Sequence, residues 1–161
     1  MPETLLTFDT PVISDWVDFN GHLRDGFYMV LFSYGVDGLM DQIGLDAAGR
    51  EATGHSLFTL EAHVNFLHEV KLGAQVQVYC QVLGHDAKRL HVGLALHVKG
   101  NDTVMAYSEQ MLLNVDMDGP RASPFVPNVA ARVQMLATAQ RSLPRPPYVG
   151  RVISLPTAKT A

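Results

Sequence analysis

The chain has 161 residues, 47% of them apolar, a formal charge of −4 and a single cysteine, Cys80. That length and apolar content suit one domain with a real core. Scattered basic residues argue against a nucleic-acid partner, and one thiol excludes an intrachain disulfide framework or a thiolate zinc cage and fits a reducing cytoplasm.

The N-terminus MPETLLTFDT lacks a basic stretch followed by an apolar core, and no apolar run reaches the roughly 20 residues that span a bilayer. A cytoplasmic protein without membrane attachment is expected. Residues 4–13 (TLLTFDTPVI) read as a first strand, with Pro11 confining it to an edge or end position.

The stretch Trp16 to Tyr34 holds the densest chemistry. Asp18, Asn20, Gly21 and His22 fall within five positions, immediately before a segment of helical periodicity. From Arg24 to Ile43 the residues Phe27, Tyr28, Leu31, Phe32, Tyr34, Leu39, Met40 and Ile43 recur at spacings of three and four, predicting a helix of about 20 residues. Gly35 and Gly38 inside it point to a close approach to a sheet or another chain. Unpaired N–H groups at a helix start suit a developing negative charge, so Asp18 is a candidate general base or nucleophile beside an oxyanion site. Its bland alternative is a turn or capping residue, and His22 has the corresponding alternative of a hydrogen-bonding structural residue.

DAAGREATGHS reads as a polar connection, after which the period changes to two. In residues 56–68, Phe58, Leu60, Ala62, Val64 and Phe66 form the expected core face, with Thr59, Glu61, His63 and Asn65 opposite. Glu61 and His63 share that polar face and could meet a ligand or line a solvated or inter-subunit surface. Val76, Val78, Cys80 and Val82 alternate with Gln75, Gln77, Tyr79 and Gln81. Leu90, Val92, Leu94, Leu96 and Val98 then oppose His91 and His97, for which no acid of matching parity is expected nearby. After the turns GHDAKR and KGNDT, a last strand is predicted over about 103–115, and a second helix over roughly 127–140 from a Ser123-Pro124 start. The proline-rich remainder is expected to lie extended or partly disordered, giving a domain over 1–142 and a tail over 143–161. An antiparallel sheet wrapped around one long helix, an α+β arrangement, follows.

Seven histidines show no H-E-x-x-H or similarly tight spacing, so no metal is expected. Neither a G-x-S-x-G elbow nor a glycine-rich phosphate loop is present. Trp16 and the neighbouring rings, beside a carboxylate, are also what would hold a quaternary ammonium, which has no proton to donate.

The order strand, D-F-N-G-H-x5-Y (Asp18 to Tyr28), long helix and four antiparallel strands resembles the hotdog-fold acyl-CoA thioesterases of the 4-hydroxybenzoyl-CoA thioesterase type, over about residues 4–140. That resemblance implies that Asp18 is the catalytic carboxylate and that N–H groups at the helix start, around Asp25, Gly26 and Phe27, polarise the thioester carbonyl. DWVDFNGH and TLEAH are similar to stretches of the betainyl-CoA thioesterases of carnitine breakdown. The likeness implies roles for Asn20 and His22 in orienting carboxylate, water or substrate, and for Trp16, Tyr28, Glu61 and His63 in binding it. No cofactor is implied, since coenzyme A is part of the substrate; Lys71, Lys88, Arg89 and Arg121 are candidates for its phosphates. A homodimer or homotetramer is implied as well. The alternatives are a thioesterase for another short or aromatic acyl group, or a non-hydrolytic acyl-CoA binding module.

Overall fold

The computed structural model describes residues 3–158; residues 1–2 of the expected domain and the last three of the expected tail lie outside the described residues. Its strands are β1 (Leu5–Pro11), β2 (His55–Phe66), β3 (Gln75–His85), β4 (Arg89–Val98), β5 (Ala106–Asp116) and the two-residue β6 (Arg121–Ala122). They form one antiparallel sheet in the order β1-β3-β4-β5-β2, with β6 paired to β5. The helices are α1 (Asp25–Ile43), α2 (Ala47–Thr53) and α3 (Pro127–Gln140).

Helix α1 lies on the inner face of this sheet and buries Tyr28, Leu31, Phe32, Val36, Leu39, Met40 and Ile43, the three-and-four spacing seen in the sequence. Each large apolar side chain so enclosed stabilises the fold by roughly 1.5–3 kcal/mol. Tyr34 falls off this stripe, 44% exposed, and packs on Phe8 instead, with ring centroids 5.0 Å apart. The interior glycines have the expected reason. A Cβ on Gly35 would stand 2.6 Å from Val78 Cγ1, and one on Gly38 would collide with the Thr7 carbonyl, so the Val78 side chain of β3 and the backbone of β1 press directly on the helix. Gly44, at φ 89°, ends α1 in the left-handed conformation, and Leu45 N–H closes on Met40 O at 2.8 Å.

Two expectations need correction. The connection 46–56 contains α2, capped by Asp46, whose carboxylate accepts Gly49 N–H at 2.8 Å, and ended by Gly54 at φ 68°. The face predicted for β2 turns toward α1 only beyond Leu60, and there only partly as core: Val64 packs on the core, Ala62 is exposed, and Phe66 touches Tyr28 yet stays 54% exposed. The β2–β5 register slips between Thr59 and Glu61, so this extra residue reverses the alternation. Leu57 is buried ahead of the bulge, whereas Phe58 and Leu60 are 42% and 56% exposed. The helix expected over roughly 127–140 is found there as α3, which opens on Pro127 because proline supplies the fixed φ of a first helical turn without wasting a donor.

Buried polar groups join distant parts. Gln140, at the end of α3, accepts Val82 N–H at 2.8 Å and donates to Cys80 O at 3.1 Å and Glu3 O at 3.2 Å. It takes the place of a neighbouring strand where β1 stops. Past Gln140 there is no helix or strand among the described residues, and part of this segment rests on the outer face of the sheet. Gln81 donates to Pro144 O at 3.3 Å, Tyr148 packs on Tyr107 at 5.2 Å, and Gly150 N–H donates to Glu109 at 2.6 Å.

Candidate active site

The turn before α1 is built by its own side chain. Asp18 Oδ1 accepts Asn20 N–H at 2.9 Å and His22 N–H at 3.1 Å, while Gly21 N–H donates to Asp18 O and Asp18 N–H to His22 O, both at 2.9 Å. Gly21 sits at φ +75°, which a side chain would resist. Val17 and Leu23 form an antiparallel bridge below the turn, and Arg24 N–H donates to Trp16 O at 2.9 Å. A second segment straps it from the side, through the His22–Lys71 bridge, Leu23 N–H on Val70 O at 2.7 Å and Leu72 N–H on Gly21 O at 2.9 Å. Asp18 is thus held on a rigid hairpin at the mouth of α1.

This framework sets the charge. The His22 N–H chiefly, with Asn20 N–H and the charges of His22 and Arg24, lowers the Asp18 pKa below 3.8 against an opposing effect of partial desolvation. An ionised carboxylate is what either a general base or a nucleophile requires. His22 is turned to the strap, with Nε2 3.4 Å from Glu69 Oε2. Asn20 contributes its backbone N–H and is exposed.

At the helix start, Gly26 N–H is taken by the Asp25 carboxylate at 2.8 Å and Phe27 N–H by Arg24 O at 3.0 Å. Asp25 N–H has no acceptor among the described residues, so it and, once Asp25 swings away, Gly26 N–H are the groups able to meet an oxyanion. Trp16 stacks on Phe27 with centroids 6.3 Å apart. Tyr28 is buried edge-on to Phe66 at 5.2 Å, and its hydroxyl donates to His68 O at 3.3 Å. These contacts bring Trp16, Asp18, Asn20, His22 and the first turn of α1 together.

Glu61 and His63 are elsewhere. Phe66 meets Tyr28 on the helix side of β2, so the odd positions before it point away from α1. They line a cleft of about 100 Å³ with His91, Glu109 and Met111. His91 Nε2 lies 3.2 Å from Glu109 Oε1, so the histidine does have an acid nearby; it comes diagonally from β5, where Glu109 faces Gly93 and Met111 faces His91. Burial raises the Glu109 pKa, but Gly150 N–H, His91 and the charge of Arg145 outweigh it and hold the carboxyl below its usual value. Sequence reasoning missed Glu69 and the Lys71–Leu72 strap, since only tertiary pairing brings them to the turn.

Comparison with known proteins gives the family. Residues 12–133 match the family model described as the thioesterase-like superfamily. A Pseudomonas aeruginosa PAO1 protein named betainyl-CoA thioesterase is 58% identical over 159 residues, covering 99% of this chain and 100% of that one. Among solved structures, a Pseudomonas putida KT2440 chain, provisionally described as a thioesterase, is 51% identical with a TM-score of 0.84, over 96% of this chain and 98% of that one. A Staphylococcus aureus protein solved in complex with CoA is 28% identical with a TM-score of 0.87, over 95% and 97%.

Proposed function

Because the chain belongs to the thioesterase-like superfamily and has its hotdog fold, we propose that it is an acyl-CoA thioesterase that hydrolyses betainyl-CoA to glycine betaine and CoA in carnitine catabolism. The observation that carries the substrate is the end-to-end likeness to a relative of that name. The turn supplies the chemistry. The Asp18 carboxylate either attacks the thioester carbonyl carbon itself or takes a proton from the water that does so. The carbonyl oxygen turns its growing negative charge toward the start of α1, where N–H groups and the helix dipole favour it. The C–S bond then breaks and the thiolate leaves and is protonated; where Asp18 itself attacked, a water then cleaves the acyl–Asp18 anhydride and frees the carboxylate, so either route consumes one water per thioester. Asn20 and His22 keep the carboxylate in place through their backbone N–H groups. Coenzyme A enters as part of the substrate, and no cofactor is invoked.

The catalytic unit in this reading is residues 1–142, acting in the cytoplasm as a homodimer or homotetramer. Support for assembly comes from β2, which among the described residues pairs on one side only, with β5, and exposes Phe58, Leu60 and Phe66 by 42%, 56% and 54%. An exposed apolar edge of this length invites pairing with a second copy. No helix among the described residues is long and apolar enough to cross a membrane.

A thiol-release screen over betainyl-, neutral short-chain and aromatic acyl-CoAs, on wild type and Asp18→Asn together, tests the proposal. Preferential release from betainyl-CoA that depends on Asp18 is expected. Equal rates across the panel would remove the substrate assignment, and no release at all would leave a binding module.

A further inference from the structure

Phe19, the corner residue of the Asp18 turn, is 94% exposed, more than any other large apolar side chain among the described residues. The ring has not drifted there through a loose backbone. Both neighbours are fixed, Asp18 through the two N–H groups its carboxylate accepts and Asn20 through one of them, and Gly21 and the Val17–Leu23 bridge close the hairpin beneath. The turn therefore presents an apolar ring to the outside, next to the one carboxylate it holds ready for chemistry.

Substrate chemistry says what such a ring can meet. In betainyl-CoA one methylene separates the carbonyl carbon from the quaternary nitrogen, so these atoms are about 2.5 Å apart. A reacting oxygen approaches the carbonyl carbon to roughly 3–3.5 Å, which leaves the cation within about 6 Å of the Asp18 carboxylate when Asp18 attacks and within about 9 Å when it activates a water. Whatever receives the trimethylammonium must therefore border Asp18. Glu61 does not qualify, being on the face of the sheet turned from α1 and five residues, about 17 Å of strand, from the Phe66 that touches the helix start. Phe19 is the next residue to Asp18, with Cα atoms about 3.8 Å apart. Trp16, across the hairpin, is only partly buried. The charges of the neighbourhood also favour a cation, since Asp15, Asp18, Asp25 and Glu69 outnumber Arg24 and Lys71.

We propose that Phe19 is a specificity-determining residue whose ring face receives the quaternary ammonium of the acyl group, an inference that rests on the betainyl-CoA reading above. A methylated ammonium offers no hydrogen bond and is recognised by the negative face of a ring, which also sheds the water around it. Such a contact is made in the ground state and in the transition state alike, so it acts on kcat/KM through KM.

The test compares betainyl-CoA with 3,3-dimethylbutyryl-CoA, which has the same shape with a neutral carbon in place of the nitrogen. Phe19→Leu should lower kcat/KM for betainyl-CoA by roughly 5- to 30-fold, mostly through KM, and change the neutral analogue by less than about threefold; Phe19→Tyr should retain the preference. Equal losses on both substrates would make the ring a shape contact and overturn the inference, as would no loss on either. A shift in oligomeric state by size exclusion would overturn it in favour of a subunit contact. Wild type that hydrolyses both substrates equally would overturn the betainyl-CoA reading and this inference with it, whereas a wild-type preference that survives Phe19→Leu would overturn the inference alone.

Discussion

The Asp18 carboxylate accepts the backbone N–H of His22 across the turn at 3.1 Å, and the same oxygen takes Asn20 N–H at 2.9 Å. An asparagine side chain keeps an acceptor oxygen in that position while losing the charge. Asp18→Asn should therefore retain the fold, with Tm within about 2 °C, and lose kcat by on the order of 10³-fold or more. Asp18→Ala should lose both the turn and the activity. Thermal melts and thiol release on the two variants separate the structural role of the carboxylate from the chemical one; appreciable turnover by Asp18→Asn would contradict the assignment.

The pH dependence has a definite sign. The N–H groups of His22 and Asn20 lower the folded-state pKa of Asp18 below 3.8, so its carboxylate is ionised at all higher pH values. Stability from these bonds is complete above the unfolded-state value and is lost as pH falls through the lowered folded one. Activity follows the same direction, and a kcat/KM profile should show no acid limb from Asp18 between about pH 5 and 8. A limb in that window that shifts in Asp18→Glu would show a raised pKa instead.

Glu61 and His63 face the outer cleft with His91 and Glu109, away from the turn. Glu61→Gln should accordingly leave kcat/KM for betainyl-CoA within about threefold, the range of an exposed polar change remote from the reacting atoms. A loss comparable with that of Asp18→Asn, measured in the same thiol-release assay, would place a carboxylate from β2 at the acyl group.

The parts of the molecule that were legible in the sequence are those whose bonds close locally. D-F-N-G-H encodes its own turn within five residues, and the stripe from Tyr28 to Ile43 encodes the buried face of α1. The parity of β2 was not legible past one point, because the bulge at Leu60 is decided by pairing with β5 and nothing in SLFTLEAH marks it. The His91–Glu109 contact was hidden for a related reason, since it depends on a diagonal across two strands whose register the sequence leaves free. Helix α2 did carry a readable signal, Asp46 as cap and Gly54 as stop, overshadowed by the polarity of the seven residues between them. The candidate site thus lies in the legible part, whereas the residues that strap it, Glu69 to Leu72, come from a distant loop.

Gly38 is where α1 touches β1. A Cβ at this position would run into the Thr7 carbonyl, which is strand backbone and cannot rotate aside. Although alanine favours an isolated helix by about 1 kcal/mol over glycine, Gly38→Ala should destabilise the protein by roughly 1–3 kcal/mol. Gly26→Ala meets nothing within 4 Å and serves as the helical control. Urea unfolding of the pair should move the midpoints in opposite directions; a stabilised Gly38→Ala would mean that the helix and strand are less closely packed than described.

Gln140 stands in for a strand, so its two ends can be tested separately. Its Oε1 satisfies Val82 N–H, and its Nε2 serves the carbonyls of Cys80 and Glu3, all with the side chain 2% exposed. Gln140→Leu removes every one of these partners while keeping the volume, leaving buried groups of β3 unpaired. The expected loss is about 2–3 kcal/mol, or roughly 5–10 °C in Tm for a chain of this size. Gln140→Glu keeps an acceptor for Val82 but, when ionised, turns an oxygen toward two carbonyls that need a donor. Its stability should therefore rise as pH is lowered toward protonation of the carboxyl, when one O–H donor returns, while wild type shows no such gain at this position. Hydrogen exchange at the Val82 amide distinguishes the variants: protection should persist in Gln140→Glu and collapse in Gln140→Leu. Protection that survives in both would mean that water or the chain beyond α3 can take over the edge of β3 without this side chain.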